Sequence, residues 1–161
     1  MIKQFHKIGL LFIGAAFAFS ACSEKPDIEH TPTEKMAGEW YTQYFSGGAA
    51  LTDHHVILTY NTSNPNSNQI WVDDHEIWTF KAKFDVDANS LSFKPMNSTD
   101  NVAHTGVTLK VYEGKIIPKA GKSKSGNIVD SIYLKVEFSD DPGTVYEIKG
   151  HQRTGFFEDE Y

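Results

Sequence analysis

The chain has 161 residues, 21 acidic against 15 basic, a formal net charge of −6 and a single cysteine. That length suits one domain with a real core and leaves two uncomfortable. One cysteine excludes an intrachain disulfide and a multi-cysteine metal site, and the acidic balance argues against nucleic acid, which is gripped chiefly by neutralising phosphates.

In chain order, Lys3 and Lys7 precede the apolar run Ile8 to Phe19 with no acidic residue between them. The run is shorter than the roughly 20 apolar residues that cross a bilayer as a helix, so it reads as the charged and apolar regions of an export signal. It ends Phe19-Ser20-Ala21-Cys22, which resembles the lipobox of bacterial lipoproteins, with Phe19 in place of the usual Leu. The expected organisation is a signal peptide over 1–21, a lipidated Cys22 at the head of a tether over 22–35, and a folded domain over 36–161. Without Lys3 and Lys7 the remaining chain holds 13 basic against 21 acidic residues. General charge would not hold it to an anionic membrane, so the acyl chains must; two or more anchor durably where one is marginal. Ser23 to Thr33 carries two prolines, several charges and one aliphatic residue, which cannot support a core.

From Met36 onward, alternation at period 2 dominates and no helical period is convincing. Strands are expected at Gly38–Phe45, His54–Tyr60, Gln69–Val72, Gly106–Tyr112 and Lys115–Lys119, with Glu113-Gly114 as the tight turn between the last two. Trp78, Phe80, Ala82, Phe84 and Val86 alternate with polar residues, and Leu91 and Phe93 resume the apolar face, so 76–95 reads as a hairpin. Ile132, Leu134, Val136 and Phe138, the turn Asp140-Asp141-Pro142-Gly143, and Thr144 to Gln152 form another. Eight to nine short sequential strands favour an all-β, antiparallel up-and-down barrel, which also removes exposed edges.

Gly38-Glu39-Trp40 on the first strand, with Arg153 after the last, is similar to the calycin and lipocalin pattern, which implies Arg153 stacked on Trp40 to close one end. A further set of stretches resembles the Bacteroidetes lipoproteins called lipid-binding putative hydrolases. They are Ala37-Gly38-Glu39-Trp40-Tyr41, Ile70-Trp71-Val72-Asp73-Asp74, Gly114-Lys115-Ile116-Ile117, Asp130-Ser131-Ile132-Tyr133 and Gly150-His151-Gln152-Arg153-Thr154-Gly155-Phe156. The resemblance implies a lipocalin-like barrel on an envelope lipoprotein with an apolar ligand. It brings no catalytic residue with it.

No catalytic motif stands out. Gly-x-Ser-x-Gly is absent; Tyr44 to Gly48 lacks its first glycine and Gly121 to Ser125 its last. Gly121-Lys122-Ser123 lacks the earlier glycine and the helix of a phosphate loop, and Lys119 to Asn127 reads as a basic surface loop. Asp53-His54-His55 offers a base, but neighbours on a strand face opposite ways. His54, His55, Asp73, Asp74, His75 and Glu76 are metal-ligand types, yet Asp73 to Glu76 reads better as a solvated turn, so no metal and no cofactor is expected. Trp71, Trp78, Phe80, Phe84, Phe93 and Phe138 either line a ligand cavity or fill the core, since an eight-stranded barrel is near the size limit for both. Counting strands places loops 46–53, 73–75, 96–105 and 119–130 on one rim, a mouth bounded by Ala49, Leu51, Val102 and Ala120. The expected function is an envelope-anchored, lipid-binding protein, at the outer membrane, with membrane contact through its acyl chains and no nucleic-acid partner. A filled-core interaction module and a hydrolase are the alternatives.

Overall fold

A computed structural model of the chain describes residues 30–74 and 76–161. The signal segment, Cys22, the first part of the expected tether and His75 lie outside the described residues. The alternating pattern becomes ten strands among the described residues: β1 (Gly38–Ser46), β2 (Ala49–Ala50), β3 (His55–Asn61), β4 (Gln69–Asp74), β5 (Phe80–Asp87), β6 (Ser92–Phe93), β7 (Met96–Asp100), β8 (Thr108–Lys122), β9 (Ile128–Phe138) and β10 (Tyr146–Gln152). Short 3-10 turns lie at Glu34–Met36 and Phe157–Asp159.

Every pairing is antiparallel, in the order β10-β9-β8-β6-β5-β4-β3-β1, and β1 pairs in turn with β10 from Trp40↔Gln152 to Phe45↔Glu147. Strands β6 and β7 both pair with β8 and share one position in the circle, so the sheet closes as an eight-stranded barrel. β2 is a two-residue extension paired to the end of β1. Closure leaves no free edge along the main circuit.

Strand parity decides what lies inside. β5 buries Phe80, Ala82, Phe84 and Val86, and β9 buries Ile132, Leu134, Val136 and Phe138. The Phe80 and Phe138 rings meet at a centroid distance of 5.6 Å, and Phe84 meets Phe93 of β6 at 5.9 Å. Each such side chain contributes about 1.5–3 kcal/mol of transfer free energy when fully buried. The buried core among the described residues runs from Met36 to Ile148. At the end where the chain arrives, Trp40 lies against Gly38, and its indole N–H donates to the Thr59 hydroxyl at 2.8 Å. Thr59 in turn donates to the Met36 carbonyl at 2.6 Å. The Gly-x-Trp motif is therefore a packing device that seals this lower end. Thr33 is already buried, its hydroxyl donating to Asn61 Oδ1 at 2.8 Å, so the last part of the expected tether is docked on the barrel.

One expected turn is corrected. Glu113-Gly114 does not reverse the chain; β8 runs unbroken from Thr108 to Lys122, with register shifts against β9 after Val111 and after Ile117. Residue 114 is glycine for space, because a Cβ there would stand 2.7 Å from Leu134 Cδ2 and 2.9 Å from Phe93 Cδ2. Merging two expected strands reverses the direction of everything after it. The connections after β1, β4, β7 and β9 share the upper end, while the β8–β9 connection, with Ala120 beside it, belongs to the lower end together with residues 30–37 and the segment that leaves β10 after Gln152. Ala49, Leu51 and Val102 stay at the upper end; the expected mouth loses Ala120.

Candidate functional site

The upper end holds a buried polar group set beneath an aromatic lid. On β1, Trp40, Thr42 and Tyr44 point inward by alternation; on β3 His55 does so, and on β4 Asp74 follows Ile70 and Val72 onto the interior face. The Tyr44 hydroxyl donates to Asp74 Oδ2 at 2.7 Å. Asp74 Oδ1 accepts the backbone N–H groups of Glu76 at 3.0 Å and Ile77 at 3.1 Å, which ties the carboxylate to the bend that follows β4. His55 stacks on the Tyr44 ring at 5.4 Å, and its Nε2 lies 3.4 Å from Asp74 Oδ2 and 3.3 Å from the Thr42 hydroxyl.

Burial alone would push the Asp74 carboxyl up, but hydrogen bonds from His55, Tyr44 and two backbone amides outweigh it and hold the group below its ordinary value. Burial, and then the Asp74 charge, push the Tyr44 phenol well above its ordinary value. The pair therefore sits as a carboxylate accepting from a phenol. A hydrolytic triad needs the base to face the nucleophile with one ring nitrogen and the carboxylate with the other. Here a single nitrogen, Nε2, faces both Thr42 and Asp74, while Nδ1 lies 3.4 Å from the Asp53 carbonyl. This geometry does not prepare Thr42 to attack.

Trp78 covers the set. It lies on the connection between β4 and β5, half-buried, with its ring 5.6 Å from Phe138, 4.7 Å from Tyr146 and 5.7 Å from Tyr44. The next residue, Thr79, has φ = 46°, a left-handed conformation that is strained for a β-branched residue by roughly 1–3 kcal/mol. A depression of about 410 Å³ opens over this point, lined by Ile77, Trp78, Thr79, His104 and Asp140. Leu51, Ile77 and Val102, all exposed, lie on connections at this same end.

The model of the lipid-binding putative hydrolase family matches residues 25–157. The chain belongs to this family. No match was found among curated proteins. A solved structure from Bacteroides ovatus, described as a structural genomics target of unknown function, aligns with a TM-score of 0.48 and 14% identity over 78% of this chain. The chain spans 43% of that protein's length.

In this chain the aromatic candidates separate. Phe80, Phe84, Phe93 and Phe138 are buried in the barrel, ring against ring, and Trp78 closes over them. Trp71 is on the outer face, because it alternates with the inward Ile70 and Val72; the ammonium groups of Lys83 and Lys81 lie 5.0 and 5.3 Å from its ring centre. It borders an outer groove of about 350 Å³ with Met96 and Val102. Arg153 does not meet Trp40. Trp40 points inward, whereas the guanidinium lies outside, 5.7 Å from the Tyr41 ring and paired with Glu39 and Glu160 at 2.6 and 2.7 Å. The expectation that Asp73 to Glu76 turns its charges outward holds for half-buried Asp73 and exposed Glu76 and fails for Asp74, which is fully buried. Among the described residues no cluster of three metal-ligand types comes together.

A second feature lies on the outer wall, where residues 153–161 fold back as a strap. Tyr161 stacks on His54 at 3.9 Å and packs edge-on to Tyr41 at 4.9 Å, and the Tyr41 hydroxyl donates to Glu160. A cleft of about 480 Å³ runs beside them. Burial lowers the pKa of His54 against the opposing pull of Asp53, and burial with the nearby His54 lowers that of His151. A histidine depressed in the folded state stabilises the fold above its unfolded pKa, and the contribution is lost as pH falls from about 6.5 through the folded value. Both imidazoles are expected to titrate below 6.5 by NMR, with the Tyr161 ring signals broadening over the same range. Titration at or above 6.5 would contradict this packing.

Proposed function

We propose that this chain is an envelope lipoprotein, acylated at Cys22 and held at the outer membrane, whose barrel takes a small amphipathic, lipid-like ligand at the Trp78 end. The observation that carries the reading is Trp78 itself. A partly exposed indole, on a strained connection, closes an aromatic interior above a buried phenol, carboxylate and imidazole. An apolar tail could replace the indole against Phe138 and Tyr146, with its polar head at Tyr44, His55 and Asp74. Pockets of this kind pair apolar walls with a few fixed polar groups. The family description and the lipobox-like Phe19-Ser20-Ala21-Cys22 support the same reading.

Native mass spectrometry of the chain purified from its envelope tests it. The expected result is a chain beginning at an acylated Cys22, with a small molecule that dissociates on activation and is lost in Trp78→Arg. A bare wild-type mass that gains nothing from added fatty acid, sterol or isoprenoid would overturn the ligand. A second reading, a filled interaction module, is favoured by the ring-to-ring packing of Phe80, Phe84, Phe93 and Phe138, and that bare mass is the result it requires.

A further inference from the structure

We infer that the lower end of the barrel is a membrane-docking surface, in which Phe156 and Phe157 insert into the interface of an anionic bilayer between flanking lysines. Phe157 is 94% exposed and Phe156 59% exposed, adjacent to each other on the strap. They are held outward by the fold on either side. The Arg153 N–H donates to the Glu39 carbonyl at 2.8 Å, and Asp159 accepts from the Ser125 N–H at 2.6 Å and the Thr154 hydroxyl at 2.7 Å. Two large apolar side chains fixed in water have no role in the barrel's own core.

Beside them, β8 and β9 extend as an arm with Lys122 opposite Ile128. Ile117 and Ile128 are exposed on this arm, as are Lys119, Lys122 and Lys124, and the Lys124 ammonium donates to the Glu160 carbonyl, joining arm to strap. The strap's acids are largely turned inward: Asp159 is buried and Glu160 is bridged to Arg153 and Tyr41, leaving Glu158 as the exposed one. Apolar side chains framed by lysines are what an anionic interface recognises, although the chain as a whole is acidic.

The position of the incoming chain selects the bilayer as the occupant. Residues 30–37 lie at this same end, and Thr33 is the first buried residue among those described. Ser23 to Pro32 is about ten residues, a reach of at most roughly 35 Å when extended. The inference rests on the proposed acylation of Cys22 for where the membrane lies. It also implies that the Trp78 mouth faces away from the anchoring bilayer.

The test uses residues 30–161, which hold the buried core from Met36 to Ile148 and lack Cys22, checked as folded by circular dichroism, with vesicles of phosphatidylethanolamine and phosphatidylglycerol. The unacylated domain is expected to bind weakly, Phe157→Trp to shift its emission to the blue on vesicle addition, and Phe157→Ser to weaken binding by on the order of tenfold or more. Lys122→Glu should weaken binding to anionic vesicles more than to neutral ones. Unshifted Phe157→Trp emission, or binding indifferent to Phe157→Ser, would overturn the inference. So would a vesicle-free dimer that Phe157→Ser dissociates, since the patch would then be a self-association surface. A failed acylation at Cys22 would be seen separately, in the mass of the envelope-derived chain.

Discussion

Gly150→Ala is expected to prevent the barrel from closing. A Cβ at residue 150 would stand 1.9 Å from the Tyr41 carbonyl oxygen and 2.8 Å from Thr42 Cα, both main-chain atoms that cannot rotate away. Gly150 pairs with Thr42 on one side and Ile132 on the other, so the clash falls on the β1–β10 seam that makes the sheet a barrel. The cost should be about 4 kcal/mol or more, in the range reserved for a disrupted core or seam. Thermal unfolding followed by near-ultraviolet circular dichroism would show a domain that is unfolded or has lost its aromatic signal. Gly143→Ala is the control: Gly143, unlike Gly150, has a positive φ, of 89°, but nothing lies within 4 Å of its Cβ position. Its cost should stay near 1 kcal/mol.

Asp74→Ala should be the next most damaging change. Removing the carboxylate leaves the Tyr44 hydroxyl buried without its acceptor, frees the Glu76 and Ile77 amides and takes the partner from His55. Breaking a buried charged network from one side typically costs about 3–5 kcal/mol. For a domain of this size that lowers the melting temperature by on the order of 10 °C or more. Tyr44→Phe leaves the carboxylate its backbone amides and should cost only about 1–2 kcal/mol. The pH dependence has a definite sign. Because the Asp74 pKa is lowered by folding, its contribution is present above the ordinary carboxylate range and is lost as pH falls through the folded value. The acid limb of the wild-type stability curve should accordingly flatten in Asp74→Ala. An Asp74→Ala melting temperature within a few degrees of wild type would contradict this role.

Most of the barrel was legible because period-2 alternation is a direct record of which side chains face in. Trp40, Phe80, Phe84, Ile132 and Phe138 are inside for that reason. The same rule, applied strictly, would have placed Trp71 outside and Asp74 inside, since both follow from Ile70 and Val72. Residue type obscured it: a tryptophan suggests a core and an aspartate suggests solvent. Gly114 misled in another way. A glycine after a glutamate carries a turn signal, and only the packing of Leu134 and Phe93 shows that the missing side chain makes room for them. The strap had no periodic signal at all. Its course is set by contacts far apart in sequence, such as Tyr41 with Glu160 and His54 with Tyr161.

Entry of a lipid-like ligand at Trp78 can be followed in one spectrum, because the chain has three tryptophans. Residues 30–161 labelled with nitrogen-15 should show three indole N–H signals, recorded with and without a medium-chain fatty acid. The Trp78 signal should shift in a saturable way, while Trp40, hydrogen-bonded to Thr59, and Trp71, on the outer wall, stay in place. Three unmoved indoles, or movement of Trp71 alone, would contradict it.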